Sequence, residues 1–476
     1  MSEAFDRPPR KISFEEWAAD FKTIPREIRE RFRSWEGTSE ASSYIENPAC
    51  FVEHGGDSRL RSLRFDNSLA SFVLWSLLLS EEDRLHAARR AGKTIIGALK
   101  DLGTVPVIAF SAPGTVAFYP DGAWWLPCLM EMEEGLLRLA DSLGFGEEAC
   151  PARAALAAFV NGAHFPLPDL VVAAAGSCCD DFSALMQRVA DLGHKTVWWE
   201  LPYRRDSGKI GGAVERTATG LIVPARVVDF VEGELGRVKK AIEETVGARI
   251  SEPMLREGVR KANRIRGVLA EIRDLAYGRR PCPLPALEAQ ICEMLAIHFC
   301  SDLGAAFDVL SFVAETIRSR VENGRGVLDP EACRAVWVNP VADLRVMNMF
   351  EDLGGAVAGS EYMFRQALIP IPVDRPPLRA LALTVLADPM IGSAAYRARL
   401  VVEEAERYGA EGVVVSNIPG ASHCATEHAV IAEVVRERLD LPVLEVTVPP
   451  LADSGLSQLR TRFETFFEII RSRRHR

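Results

Sequence analysis

Apolar positions along this chain fall into two kinds of run that alternate. Short, nearly continuous blocks end in glycine, proline or a polar turn. "VPVIAFSAPG" (105–114), "DLVVAAAG" (169–176) and "KTVWWELP" (195–202) read as buried strands. Longer stretches carry apolar residues every third or fourth position. "DFSALMQRVADLG" (181–193) puts Phe182, Leu185, Met186, Val189 and Leu192 on one helical face. "SEEDRLHAARRAGKTIIGALKDLG" (80–103) reads as one amphipathic helix that stops at Gly103. "PCLMEMEEGLLRLADSLG" (127–144) and "CPARAALAAFVNG" (150–162) read as two more, the second with Pro151 near its start. Strands alternating with helices predict a parallel α/β sheet.

The pattern changes at about residue 225. Long helical periods follow, broken by "PCPLP" (281–285). From about 331 the alternation resumes, with strands expected at 334–340, 354–361, 411–417 and 442–448 and a closing helix at 457–474. The expected fold is α/β, with two parallel-sheet domains of Rossmann or flavodoxin type. The expected divisions are a helical N-terminal region (1–95), a first α/β domain (96–225), a helical connecting segment (226–330) and a second α/β domain (331–476).

Composition narrows the function classes. The 476 residues are 48% hydrophobic and 26% charged, enough for more than one core. A formal net charge of −10 argues against a nucleic-acid partner, because phosphate binding needs a basic face. The apolar stretch "LASFVLWSLLL" (69–79) is too short to cross a bilayer, and "MSEAFDRPPRK" lacks the apolar core of a signal peptide. A cytoplasmic protein without membrane contact is expected. Its ten cysteines contain no CxxC pair, which argues against zinc-ribbon and thioredoxin chemistry.

Three of those thiols sit where open parallel sheets place ligands, beyond strand ends and at helix starts. Cys179 follows the strand at 169–176, Cys424 follows the strand at 411–417, and Cys150 opens a helix. Helix N-termini favour thiolates, and three thiolates at one cleft suit an iron–sulfur cluster with one open iron. On spacing alone, packed core cysteines account for the same pattern.

The chain resembles the 2-hydroxyacyl-CoA dehydratase and benzoyl-CoA reductase family. The resemblance runs from about residue 85 onward and rests on three passages: "GSCCDDFSAL" followed by "WWELP"; the Asn-x-x-Arg step in "LREGVRKANRIR" (255–266); and "SGLSQLRTRFETFFEII" after a cysteine loop and "LPVLEVTV". It implies a [4Fe–4S] cluster held by Cys150, Cys179 and Cys424. Cys178 departs from the single thiol that many members have there and suits a packed thiol first, a spare or swapped ligand second; Cys128 is a weaker rival for the first ligand. It further implies one-electron, ketyl-radical chemistry on an acyl-CoA thioester, such as conversion of a 2-hydroxyacyl-CoA to a 2-enoyl-CoA. The implied partners are a second similar subunit, in a homo- or heterodimer, and an ATP-dependent iron–sulfur activator. Alternatives are a cluster-bearing subunit that only relays electrons, a double-cubane reductase, and an α/β protein whose thiols all pack.

Other residues have simpler explanations. "RRAGKTIIG" holds Gly-Lys-Thr, but Ala87 stands where a P-loop needs its first glycine. "GKIGG" (208–212) lacks a dinucleotide fingerprint. Asp180 and Asp181 suit helix capping, Arg460 and Arg462 suit ion pairs on the last helix, and Trp198 and Trp199 suit a core. His423 and His428 flank Cys424 and suit surface or capping positions. Cys50, Cys282, Cys292, Cys300 and Cys333 are expected to pack.

Overall fold

The structure is a computed structural model that describes residues 7–33, 45, 58–99, 101, 103–122, 133–176, 179–205, 211–295, 301–362, 365–421, 427–450 and 453–474. Two four-stranded parallel sheets organise it. The first comprises β3 (Thr94–Leu99), β4 (Thr115–Phe118), β5 (Leu170–Gly176) and β6 (Thr196–Leu201), in the spatial order β4-β3-β5-β6. The second comprises β9 (Cys333–Val338), β10 (Gly355–Glu361), β11 (Gly412–Asn417) and β12 (Val443–Thr447), in the order β10-β9-β11-β12. Both sheets therefore run second, first, third, fourth strand. Register is fixed by apolar pairs such as Ile96 opposite Leu170 and Val413 opposite Val336. The strands are mostly apolar because helices cover both faces; every residue of β9 and of the edge strand β10 is buried, Arg334, Ser360 and Glu361 included. Two α/β domains with parallel sheets are thus present, as the alternation predicts.

The edge of the first sheet differs from the sequence reading. The stretch expected as one helix over 80–103 divides into a helix, Glu81–Arg90, and the central strand β3. "VPVIAF", expected as a strand, is a helix, Val105–Phe110, with a proline in its first turn. Strand β4 then follows at Thr115. The helical period of 80–90 continues by chance into "TIIGAL", but β-branched Thr94, Ile95 and Ile96 fit a pleated, buried surface better. Pro106 is tolerated at a helix start because no N–H is needed there. Gly-Lys-Thr (92–94) consequently leads into a strand, whereas a P-loop follows one, which adds to the exclusion by Ala87.

After β6 come a short antiparallel pair, β7 (Val214–Arg216) and β8 (Ile222–Pro224), and, among the described residues, four helices that connect the sheets: Ala225–Val246, Glu252–Tyr277, Ala286–Leu295 and Leu303–Glu322. The N-terminal region docks onto them. Its helix Leu69–Leu79 is buried at every position, which explains an apolar sequence with no polar face. Trp17 stacks on Phe65 at 4.7 Å. In the short antiparallel pair β1 (Lys11–Ile12) and β2 (Phe65–Asp66), Lys11 bonds Glu351 at 3.2 Å and Asp66 meets Arg320 at 2.6 Å. Glu288 accepts from the Asp66 N–H (2.9 Å), the Ser71 hydroxyl (3.2 Å) and the Trp75 indole (3.2 Å) on a single oxygen. The ion pairs of Lys11 and Asp66 hold only while both partners remain.

Candidate metal centre

In a doubly wound sheet the ligand crevice opens where the strand order reverses, beyond the carboxyl ends of the strands. In the first sheet that point lies between β3 and β5. Strand β5 ends at Gly176, with φ +91; a Cβ there would stand 2.5 Å from the Leu201 carbonyl oxygen. Only glycine lets the chain leave the strand so close to β6. Cys179 is the N-cap of the helix Asp180–Asp191, has extended backbone, and is buried. Its thiol donates to Asp181 Oδ2 at 3.7 Å.

The other oxygen of the same carboxylate reaches a second cysteine. The backbone N–H of Cys150 donates to Asp181 Oδ1 at 3.4 Å. Cys150 is half-buried and caps the short turn Pro151–Arg153, which leads into the apolar helix Ala154–Asn161. Arg153 anchors this turn from behind: it donates to the Ala149 carbonyl at 2.9 Å and to Asp141 at 3.2 Å. Asp181 thus ties together the segments of Cys150 and Cys179. Sequence reading gives it a capping role only; its bridging between thiol segments is visible only in three dimensions. Asp180, its neighbour, is exposed.

The second domain touches the same place. After β11 the chain turns at Ile418–Ala421, closed by an Ala421 N–H to Ile418 carbonyl bond of 3.1 Å. Gly420 in that turn has φ +77, and a Cβ on it would lie 2.5 Å from the Ala149 carbonyl oxygen and 3.0 Å from that of Glu148. The backbone beyond β11 therefore seats directly on the residues preceding Cys150. Cys424, with Cys178, Cys128 and His423, lies outside the described residues. Among the described residues, no group of three or more His, Cys, Asp and Glu side chains forms a metal site. The described donors at this crevice are the Cys179 thiol and the Asp181 carboxylate, with Cys150 joined to the same carboxylate through its backbone N–H.

Residues 104–470 match the sequence profile of the 2-hydroxyglutaryl-CoA dehydratase D-component family. The chain belongs to that family. Among curated proteins, it is similar to one from Escherichia coli (strain K12) named "Putative dehydratase subunit YjiM", with 24% identity over 245 residues. That alignment covers 50% of this chain and 63% of the relative, which is less than two thirds of the relative's length.

The remaining motifs of this dehydratase-family chain are spent on holding the crevice together. In the Asn-x-x-Arg step, Asn263 bonds both the carbonyl (2.8 Å) and the N–H (2.9 Å) of Ile371. Burial lowers the Arg266 pKa to about 10, although Tyr119 and Asp101 oppose this. Asp101, just past β3, accepts from the Thr104 N–H and hydroxyl and from Tyr119 at 3.0 Å; burial nevertheless pushes its carboxyl upward. Arg204, beyond β6, reaches into the second domain and donates to the carbonyls of Leu386 (2.9 Å) and Asp388 (2.7 Å). At the carboxyl end of the second sheet, buried Arg397 bonds Glu361, Asn339 and Glu427. Asp388 is buried beside them, and desolvation pushes its carboxyl up to about 7. Sequence reading missed Arg204 and Arg397, which carry no local motif.

Three other thiols are packed, as expected. Cys282, Cys292 and Cys333 are buried, and burial pushes the Cys282 thiol up to about 12 and that of Cys292 further upward. Cys50 and Cys300 lie outside the described residues. Trp199 is buried. Arg462 bonds the Glu445 carbonyl, which ties the last helix to β12, and His428 pairs with Glu445 at 3.2 Å. Among the described residues no helix is long and apolar enough to cross a membrane.

Proposed function

We propose that this chain is a cluster-bearing subunit of a dehydratase acting on an acyl-CoA thioester. The reaction removes water from a 2-hydroxyacyl-CoA and leaves a 2-enoyl-CoA. The observation that carries the reading is the shared carboxylate of Asp181, which holds the Cys150 and Cys179 segments in one crevice, in a chain of the dehydratase D-component family. The donor chemistry fits a [4Fe–4S] cluster: Cys150, Cys179 and Cys424 are the ligands, and one iron is left to substrate. When bound, such a cluster supplies a low-potential electron to the thioester carbonyl. The protein buries Cys179, half-buries Cys150 and offers a crevice in which the acyl group is oriented. The strong tie of Arg204 between domains supports a crevice of fixed width. A second similar subunit and an ATP-hydrolysing activator complete the system, in the cytoplasm. A double-cubane cluster needs about twice the thiols, and the burial of Cys282, Cys292 and Cys333 gives it no support.

The test is anaerobic purification with iron and sulfide analysis, followed by Cys→Ser at 150, 179 and 424. Each change is expected to lower bound iron, while Cys292→Ser leaves it unchanged. Turnover with 2-hydroxyacyl-CoAs, given activator and reductant, then tests the reaction. Full iron retention in any of the three variants removes that residue from the ligand set. A loaded cluster without turnover on any acyl-CoA refutes the enzymatic reading.

A further inference from the structure

We infer that a cavity at the amino end of the first sheet is a binding site for a phosphorylated ligand of nucleotide size. The site is separate from the crevice described above and does not depend on the cluster reading. The crevice opens at the carboxyl ends of the strands. The cavity, of about 580 Å³, is bounded by the turns that start β3 and β4 and by the helices Glu252–Tyr277 and Leu303–Glu322. The six residues of β3, at about 3.3 Å each, put about 20 Å between the two openings. The volume is that of a small-molecule site, which takes about 300–1,000 Å³.

Charge sets the ligand class. Lys93, Lys261 and Arg264 all line the cavity. Lys93 belongs to the Gly-Lys-Thr step that no P-loop explains. The helix Glu252–Tyr277 pairs its neighbouring arginines with its own acids: Arg256 meets Glu252 at 2.6 Å and Arg260 meets Glu257 at 3.0 Å. Lys261 and Arg264 have no acidic partner within 4 Å among the described residues. They stand three positions apart, on one helix face, where like charges repel. Arg264 lies over the Phe307 ring, 4.0 Å from its centroid, which holds the guanidinium at the cavity wall. Arg84, also in the lining, is committed to Glu81 and to the Leu77 carbonyl at 2.6 Å. Two acids, Asp302 and Asp308, share the wall, and Asp302 caps its helix by accepting from the Ala305 N–H at 2.9 Å. An anion shared by the three cations relieves their repulsion. Phe110 and Phe307, both half-buried, offer apolar surface to the rest of a larger ligand. Bare phosphate leaves that surface and most of the volume unused. A nucleoside phosphate uses both, whether it comes as a free nucleotide or as the nucleotide end of coenzyme A.

The experiment is isothermal titration of the full chain, prepared anaerobically with and without iron, against ATP, coenzyme A and inorganic phosphate. Wild type is compared with the double variant Lys261→Gln, Arg264→Gln, which changes two exposed positions, and with Arg260→Gln, an exposed control on the same helix. ATP or coenzyme A is expected to bind wild type, and the one that binds identifies the source of the nucleotide. The double variant is expected to weaken that binding at least about 10-fold, the worth of one charge-assisted bond. Arg260→Gln is expected to leave it unchanged. If the double variant does not fold, Lys261→Gln alone makes the same comparison. Binding of neither nucleotide, or binding that the Lys261 and Arg264 changes leave intact, overturns the site. Inorganic phosphate that binds as tightly as the nucleotides overturns a ligand of nucleotide size. Equal affinity with and without iron is expected, so failure of the cluster reading leaves the site standing. Binding that requires iron places the ligand in the crevice and overturns the proposal.

Discussion

Glu288 offers a measurable test of how burial sets the stability of the helical segment. Its carboxyl is fully buried; one oxygen accepts three hydrogen bonds, and the other has no partner among the described residues. Desolvation, reinforced by the nearby Asp66 charge, pushes its pKa from 4.5 to about 7. The native state therefore holds a proton that the unfolded chain releases once the pH exceeds 4.5. Stability falls as pH rises through this interval and levels off above about 7. At 1.36 kcal/mol per pH unit the interval is worth about 3 kcal/mol. Glu288→Gln keeps the accepting oxygen and removes the titration. Urea-unfolding free energies of wild type and variant, measured from pH 4.5 to 8.5, should differ by an amount that moves about 3 kcal/mol in favour of the variant as pH rises. The constant effect of the new amide cancels from that comparison. Parallel pH profiles would refute the claim that Glu288 is buried as a protonated acid.

Three further outcomes are expected. Asp181→Ala removes the acceptor shared by Cys150 and Cys179; it should lower stability by about 1–2 kcal/mol and speed iron loss, whereas Asp181→Asn should retain part of the effect through its remaining oxygen. Arg204→Ala strands the carbonyls of Leu386 and Asp388 and removes the cation from the Tyr396 face, 4.5 Å away; chemical denaturation should show a loss of about 2–4 kcal/mol, and a change below about 0.5 kcal/mol would contradict a clamp between the domains. With its pKa at about 12, Cys282 is thiolate in roughly one molecule in ten thousand at pH 8, so alkylation in the native state, read by mass spectrometry, should spare it along with Cys292 and Cys333.

The sequence was most legible where apolar blocks are long and clearly ended. All four strands of the second sheet lie within two residues of their expected bounds, because short apolar blocks such as "RAVWVNP" and "EGVVVSN" alternate with helical periods. Strand β3 of the first sheet was obscured. Ile95 and Ile96 continue the helical phase of Leu85 and Ala88, so periodicity alone joined helix to strand across Gly92. The placement of Cys150 and Cys179 at helix starts could be read from one dimension, since strand end and helix start adjoin. The roles of Asp181 and Gly420 could not, because each acts on a segment distant in the chain. The Pro-Gly step was the available signal for the turn, though nothing local announces that its face meets Ala149.

The bond between Lys11 and Glu351 spans 340 residues, and it imposes an order on biosynthesis. Chain elongation at about 5–20 residues per second separates the emergence of those two partners by roughly 20–70 s. For much of that interval the buried, largely apolar helix Leu69–Leu79 has been made before the helices Ala286–Leu295 and Leu303–Glu322 that bury it. The first sheet can pair its strands early, but the opening segment must wait, so nascent chains of this protein have a long window in which chaperone protection matters most.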